Sequence, residues 1–102
     1  MTQTEKEYIQ ATSGDVVKLE AGQSISGVFV VIEPSKMYKD SFALKLRQGD
    51  RLKTIFVSSI VAELISGNSI MTGQDIKLTY KGKVKAQNGK FEYNDYELFY
   101  VK

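Results

Sequence analysis

Residues 42–67 read FALKLRQGDRLKTIFVSSIVAELISG, and this stretch decides the fold. Its first part alternates apolar and polar side chains on either side of Gln48-Gly49-Asp50, which is typical of two strands joined by a tight turn. From Ser58 onward the period changes, because the large apolar residues recur at the spacing of one helical stripe. We therefore predict a β-hairpin followed by a short helix, with a serine at its start and Gly67 at its end.

The turn predicts the register of this hairpin. With Gly49 at its centre, every cross-strand pair matches in polarity, and such matching fixes register. The apolar pairs would be Phe42–Phe56, Leu44–Thr54 and Leu46–Leu52. The opposite face would carry four cations, an arrangement that costs the fold stability but suits a polyanionic ligand. This predicted cationic face consists of Lys45, Arg47, Arg51 and Lys53.

The segment before the hairpin predicts a more buried strand. Residues 24–33 are dense in β-branched and aromatic side chains at both parities, which is typical of a strand buried on much of both faces. Pro34 ends this strand, and residues 35–40 form a loop. A short extended piece precedes it at residues 16–19. The polar residues 1–13 are predicted to be a flexible N-terminal arm.

The segment after the helix predicts a second hairpin. Residues 76–86 alternate without interruption, Asn88-Gly89 is a strong turn signal, and residues 91–100 form a last strand with a phase break at Asn94-Asp95. Five strands with one helix between strands 3 and 4 is the order of the OB-fold, a Greek-key barrel. We predict an all-β OB-fold domain over residues 14–102.

Composition excludes several classes of function. The chain has 102 residues and contains neither Cys nor His. Zinc hydrolases, Ser-His-Asp hydrolases and Cys-His proteases need these residues and are therefore excluded. There is no P-loop motif, no signal-peptide pattern and no apolar run of about 18 residues. We expect one soluble cytoplasmic domain that is not an enzyme and uses neither metal nor cofactor.

The charge distribution points to a polyanionic partner. The net charge is +2, but residues 36–90 carry eleven Lys/Arg and only four Asp/Glu. Proteins that hold single-stranded nucleic acid combine a cationic groove with flat side chains, and OB barrels bind it on strands 2–3 and the adjoining loops. The residues predicted to bind are Lys36, Tyr38, Lys39, Lys45, Arg47, Arg51, Lys53, Lys81, Lys83, Lys85, Lys90, Phe91 and Tyr93.

These residues divide into two roles. The cationic face, with Lys83 and Lys85, would contact phosphates. Tyr38, Phe91 and Tyr93 would stack on bases. The other aromatic residues are expected in the core or at the barrel ends, and these are Phe29, Phe42, Phe56, Tyr80 and Tyr100.

Several segments also carry a family resemblance. They are the strand at residues 24–33, Tyr38, the sequence Phe56-Val57-Ser58-Ser59 before an apolar helix, and residues 73–83 with Tyr-x-Gly-Lys before the Asn-Gly turn. In these features the chain resembles the small single-stranded-DNA-binding OB proteins of bacteriophages. The resemblance implies sequence-tolerant binding of single-stranded DNA in phage replication, recombination or repair, in the host cytoplasm, with replication or recombination proteins as further partners.

Two other functions remain open, and a carboxylate-only or substrate-assisted enzyme is a distant third, which the missing His and Cys argue against. An OB-fold can serve as a protein-interaction module, such as a phage structural component or an inhibitor of a host enzyme, because a fold alone does not fix function. An RNA-binding OB module would use similar residues and would differ in its contacts to the 2′-hydroxyl.

Overall fold

The computed structural model describes residues 15–86, 89 and 91–102, and there the chain forms six strands and one helix. The predicted arm at residues 1–13 lies outside the described residues. The all-β prediction with a single short helix is confirmed. No helix among the described residues has the length and apolar character to cross a membrane. The elements are β1 (Asp15–Val16), β2 (Ser24–Pro34), β3 (Phe42–Gln48), β4 (Arg51–Val57), α1 (Ser59–Gly67), β5 (Asp75–Lys85) and β6 (Glu92–Tyr100).

All six strands belong to one sheet, in the order β1-β4-β3-β2-β5-β6. Strand β2 has two partners, because residues 24–28 pair with β5 and residues 28–34 pair with β3, with a bulge between Phe29 and Val31 in the pairing with β3. Strand β1 runs parallel to β4 and covers part of its edge. Among the described strands β1 and β6 are the two edges, so the sheet does not close on itself.

The core combines buried side chains of the sheet and of the helix. Strands β3 and β4 contribute side chains that are almost fully buried, and α1 adds Val61 and Ile65 to the same buried cluster. The helical stripe predicted from the sequence is therefore confirmed. Ser58 occupies the N-cap position, but its side chain makes no capping hydrogen bond. The most buried side chains are Leu44, Leu46, Val61 and Leu78.

The β3–β4 hairpin differs from the prediction by one residue. Gln48 pairs with Arg51, so the turn consists of two residues, and Gly49 takes a φ of +63° at the first of them. This is the position at which a type II′ hairpin turn requires glycine. A one-residue slip moves every side chain of one strand to the other face. The pairs are Phe42–Val57, Leu44–Ile55, Leu46–Lys53, Lys45–Thr54, Arg47–Leu52 and Ala43–Phe56.

Two predictions are wrong as a result. The predicted face of four cations does not exist, because Lys45 and Arg47 lie on one face while Arg51 and Lys53 lie on the other. Phe56 is not in the core beside Phe42, since Ile55 and Val57 take the inward positions of β4.

A bulge in β5 is the second difference between the structure and the prediction. Tyr80 pairs with Tyr96 and Gly82 pairs with Asp95, so Lys81 is an extra residue. The sequence predicts the irregularity of this hairpin at residues 94–95 in β6, whereas the structure has it in β5. Beyond the bulge, Lys83 and Lys85 share the face of Tyr80, whereas uninterrupted alternation would have placed Val84 there.

Candidate nucleic-acid interface

An open cleft of about 780 Å³ lies between the loop that joins β2 to β3 and the β5–β6 hairpin. Strand β4 contributes Phe56 to it, and the chain between β1 and β2 forms a further part of the wall. We call this site the aromatic cleft. Its aromatic and cationic side chains are Lys18, Tyr38, Lys39, Phe56, Tyr80, Lys83 and Tyr96.

The β2–β3 loop holds Tyr38 in place at the cleft. The Ser35 hydroxyl accepts hydrogen bonds from the backbone N–H groups of Met37 and Tyr38, both at 3.1 Å. The backbone N–H of Ser35 donates to the carbonyl of Ser41 at 2.8 Å, which closes the loop. The Tyr38 ring meets the Phe56 ring edge to face, with centroids 4.9 Å apart, yet the residue stays 51% exposed. A large ring surface is therefore both fixed and accessible.

Two further tyrosines form the opposite wall. The rings of Tyr80 and Tyr96 lie 5.2 Å apart at an angle of 40°, and the Tyr80 hydroxyl donates to Asn94 Oδ1 at 2.8 Å. Burial, together with the neighbouring Tyr80, raises the pKa of Tyr96, while a hydrogen bond from the Ser58 backbone opposes the shift. The Tyr96 hydroxyl is therefore protonated, and neutral, at physiological pH.

Three lysines give the cleft its charge. Lys18 precedes β2, Lys39 belongs to the β2–β3 loop, and Lys83 follows the bulge of β5. None of the described residues that line the cleft is acidic. Positive charge and aromatic surface thus occur together, without a neighbouring carboxylate in the lining to neutralise the lysines.

The structure brings only part of the predicted site into this cleft. Tyr38, Lys39 and Lys83 line it. Lys85 lies next along the same face of β5, and Lys36 is exposed in the loop that carries Tyr38. Three of these five residues therefore line the cleft, and the other two lie on the elements that carry them.

The remaining predicted residues are elsewhere. Tyr93 lies on the face of β6 opposite to Tyr96, and Phe91 is exposed beside the β5–β6 turn. The Arg47 guanidinium donates to the carbonyl of Gly49 at 3.3 Å. Lys90 lies outside the described residues. Four predicted cations are in ion pairs, namely Lys45 with Glu33, Lys81 with Glu97, and Arg51 and Lys53 with Asp15.

Of these ion pairs, those of Asp15 with Arg51 and Lys53 include the most hydrogen bonds. Arg51 donates from Nε and Nη2 to both carboxylate oxygens at 2.8–3.0 Å, and the Lys53 ammonium contacts Oδ2. Hydrogen bonds from Lys53 first and Arg51 second lower the pKa of Asp15 below its ordinary value of 3.8. The carboxylate is therefore ionised at neutral pH.

Sequence reasoning missed four residues of the cleft. The sequence predicts Phe56 and Tyr80 in the core or at a barrel end, and it assigns neither Lys18 nor Tyr96 to the site. The bulge in β5 could have been predicted from the sequence, because a glycine within a strand, here Gly82, often marks a bulge. Lys18 had no such signal, because its place depends on how the chain crosses from β1 to β2.

Within the described ranges, no cluster of three acidic side chains is positioned to hold a metal ion. No family model matches the chain, and comparisons with curated proteins and with solved structures find no match either.

Proposed function

We propose that this protein binds single-stranded DNA with little sequence preference, through the aromatic cleft, and that it is a binding protein and not an enzyme. The observation that carries the proposal is the composition of the cleft, in which three lysines and four aromatic rings from separate segments meet. Base stacking on an aromatic side chain contributes about 1–3 kcal/mol per base and tolerates any base. Lysines that contact phosphates add a salt-dependent contribution to the binding free energy.

The strand order supports an OB-type arrangement for this site. Strands β2 to β6 follow the order β4-β3-β2-β5-β6, with β2 shared between two partners and α1 following the third of these strands. OB-folds bind oligonucleotides on their second and third strands and on the loops that adjoin them. Here Phe56 lies on the third long strand, and Tyr38 and Lys39 lie in the loop between the first and the second.

The same arrangement suggests a course for the DNA. One base would stack on the exposed ring of Tyr38, with its phosphates near Lys39 and Lys83. Lys85 would extend the cationic path along β5, and Lys36 would extend it along the loop. A role in phage replication, recombination or repair, in the host cytoplasm, rests on the family resemblance of the sequence.

Fluorescence anisotropy with labelled oligo-dT over a salt series tests the proposal. We expect binding at low salt that weakens with a log–log slope of about −2 or steeper, because each of the three cleft lysines contributes about −0.7 for single strands and further phosphate contacts add to this. Duplex DNA of equal length should bind more weakly. Absence of binding at low salt, or an affinity indifferent to salt, would refute the proposal.

Two further measurements distinguish single-stranded DNA binding from RNA binding and from protein binding. Competition by an RNA of the same length and sequence should be no stronger than competition by DNA, and preferential RNA binding would identify an RNA-binding module. Co-purification with a protein partner, together with indifference to DNA, would identify a protein-interaction module.

A further inference from the structure

The contacts of Asp15 have the geometry of a bound phosphate. The Arg51 guanidinium presents Nε and Nη2 to both oxygens of one carboxylate, and Lys53 adds an ammonium to one of them. Arginine binds carboxylates and phosphates in this same two-pronged manner, since its planar fork matches the spacing of their oxygens. In this position the Asp15 carboxylate stands in for two phosphate oxygens.

We propose that Arg51 and Lys53 form a second phosphate subsite for single-stranded DNA, and that Asp15 occupies this subsite while the protein is free. This inference rests on the proposed function. A backbone phosphate of the bound strand would displace the Asp15 carboxylate and take over its contacts.

The charges distinguish this cluster from the other ion pairs. Lys45 pairs with Glu33 and Lys81 pairs with Glu97, so each of those pairs is neutral. At Asp15 two cations share one carboxylate, which leaves a net charge of +1 by formal count. The cluster therefore still attracts an anion while its own carboxylate is in place.

Exposure and position allow the exchange. The Arg51 side chain is 64% exposed and that of Asp15 is 35% exposed, and ion pairs so open to water contribute little stability. Val16, the next residue along the chain, lines the aromatic cleft together with Lys18. Asp15 lies on the opposite face of β1 from Val16, and β1 is an edge strand, so a DNA strand that leaves the cleft would reach the subsite by passing around this edge.

Replacing the carboxylate tests the inference by emptying the subsite. D15N keeps the size of the side chain but removes its charge, so affinity for oligo-dT should rise by about two- to five-fold, the range expected for an exposed ion pair. The salt slope should change little, because the wild-type complex makes the same phosphate contact once Asp15 has been displaced. E97Q is the matched control, because it removes one negative charge from the pair with Lys81.

A second substitution tests whether the tighter binding of D15N comes from Arg51. R51Q in the D15N background should abolish the tighter binding, whereas K81Q in the same background should leave it. Titration of the wild-type protein with oligo-dT should also shift the NMR signal of the Arg51 Nε–H. Inorganic phosphate at matched ionic strength should shift it far less, and an equal shift would show a site for free phosphate and refute the inference.

The two proposals fail in different ways. If D15N binds no more tightly than E97Q, or if R51Q leaves the gain in place, the subsite is refuted while the cleft remains. If the wild type, D15N and E97Q all fail to bind oligo-dT at low salt, the proposed function itself is refuted.

Discussion

Tyr38 shows how a side chain can be exposed and still well positioned. Hydrogen bonds to Ser35 fix its backbone, and the contact with Phe56 fixes its ring. An aromatic pair of this kind contributes about 0.5–1.5 kcal/mol beyond the area it buries. Because the ring is already ordered before DNA binds, binding costs little side-chain entropy. Most of the stacking energy would therefore appear as affinity.

Substitution of Tyr38 measures this contribution. Y38A should weaken oligo-dT binding by about five-fold or more, because one stacked base is worth about 1–3 kcal/mol. F99A is the control, since Phe99 is 54% exposed, much as Tyr38 is, but lies outside the cleft lining. Equal losses of affinity in the two variants, measured by anisotropy, would remove Tyr38 from the binding site.

The strands and the helix show how far sequence patterns determine this fold. The helix was predictable because its apolar stripe has one period, and β2 because few other conformations suit so many β-branched residues. The register of the β3–β4 hairpin was not predictable from polarity alone. Both registers place leucines of β3 in the core, and only the turn geometry at Gly49 decides between Ile55 and Phe56 as the inward residue.

Gly27 determines how closely two strands approach each other. A Cβ at this position would lie 2.9 Å from the backbone oxygen of Arg47 and 3.2 Å from Leu46 Cβ, and a backbone atom cannot rotate away. We expect G27A to lower the free energy of unfolding by about 1–3 kcal/mol, as overpacking does. G67A is the matched control, because nothing lies within 4 Å of a Cβ there.

The two glycine variants should change stability in opposite directions. G67A should be neutral or raise the free energy of unfolding by about 0.4–1 kcal/mol, since alanine restricts the unfolded chain. Urea denaturation of both variants measures the two changes. A stable G27A protein would show that β2 and β3 can separate without loss.

Over the whole molecule, the cleft depends on contacts between distant parts of the chain. Its lysines come from residues 18, 39 and 83, and each reaches the site through a different local feature. The sequence predicted that basic segments would converge, and Tyr38, Lys39 and Lys83 do meet. It could not predict which cations would be neutralised, because Asp15 and Glu33 meet their partners only after the strands have paired.

Asp15 also links the first strand to the fourth, and this link depends on pH. Its pKa is lowered in the folded protein, so the contribution to stability is present above the ordinary value of 3.8 and is lost as the pH falls through the folded-state pKa. Wild type should therefore unfold at a higher temperature than D15N at neutral pH. The difference should disappear in acid, and thermal unfolding at a series of pH values checks it; a difference that stays constant in acid would contradict this assignment.

The bulge at Lys81 has a consequence for how such proteins can diverge. Because that one extra residue turns Lys83 and Lys85 toward Tyr80, its deletion would reverse the alternation and present Val84 instead. A single-codon indel in this hairpin would thus exchange a cationic wall for an aliphatic one while the strand order stayed the same. Related chains could then differ in ligand preference through hairpin length alone, with Lys83 and Lys85 still present in their sequences.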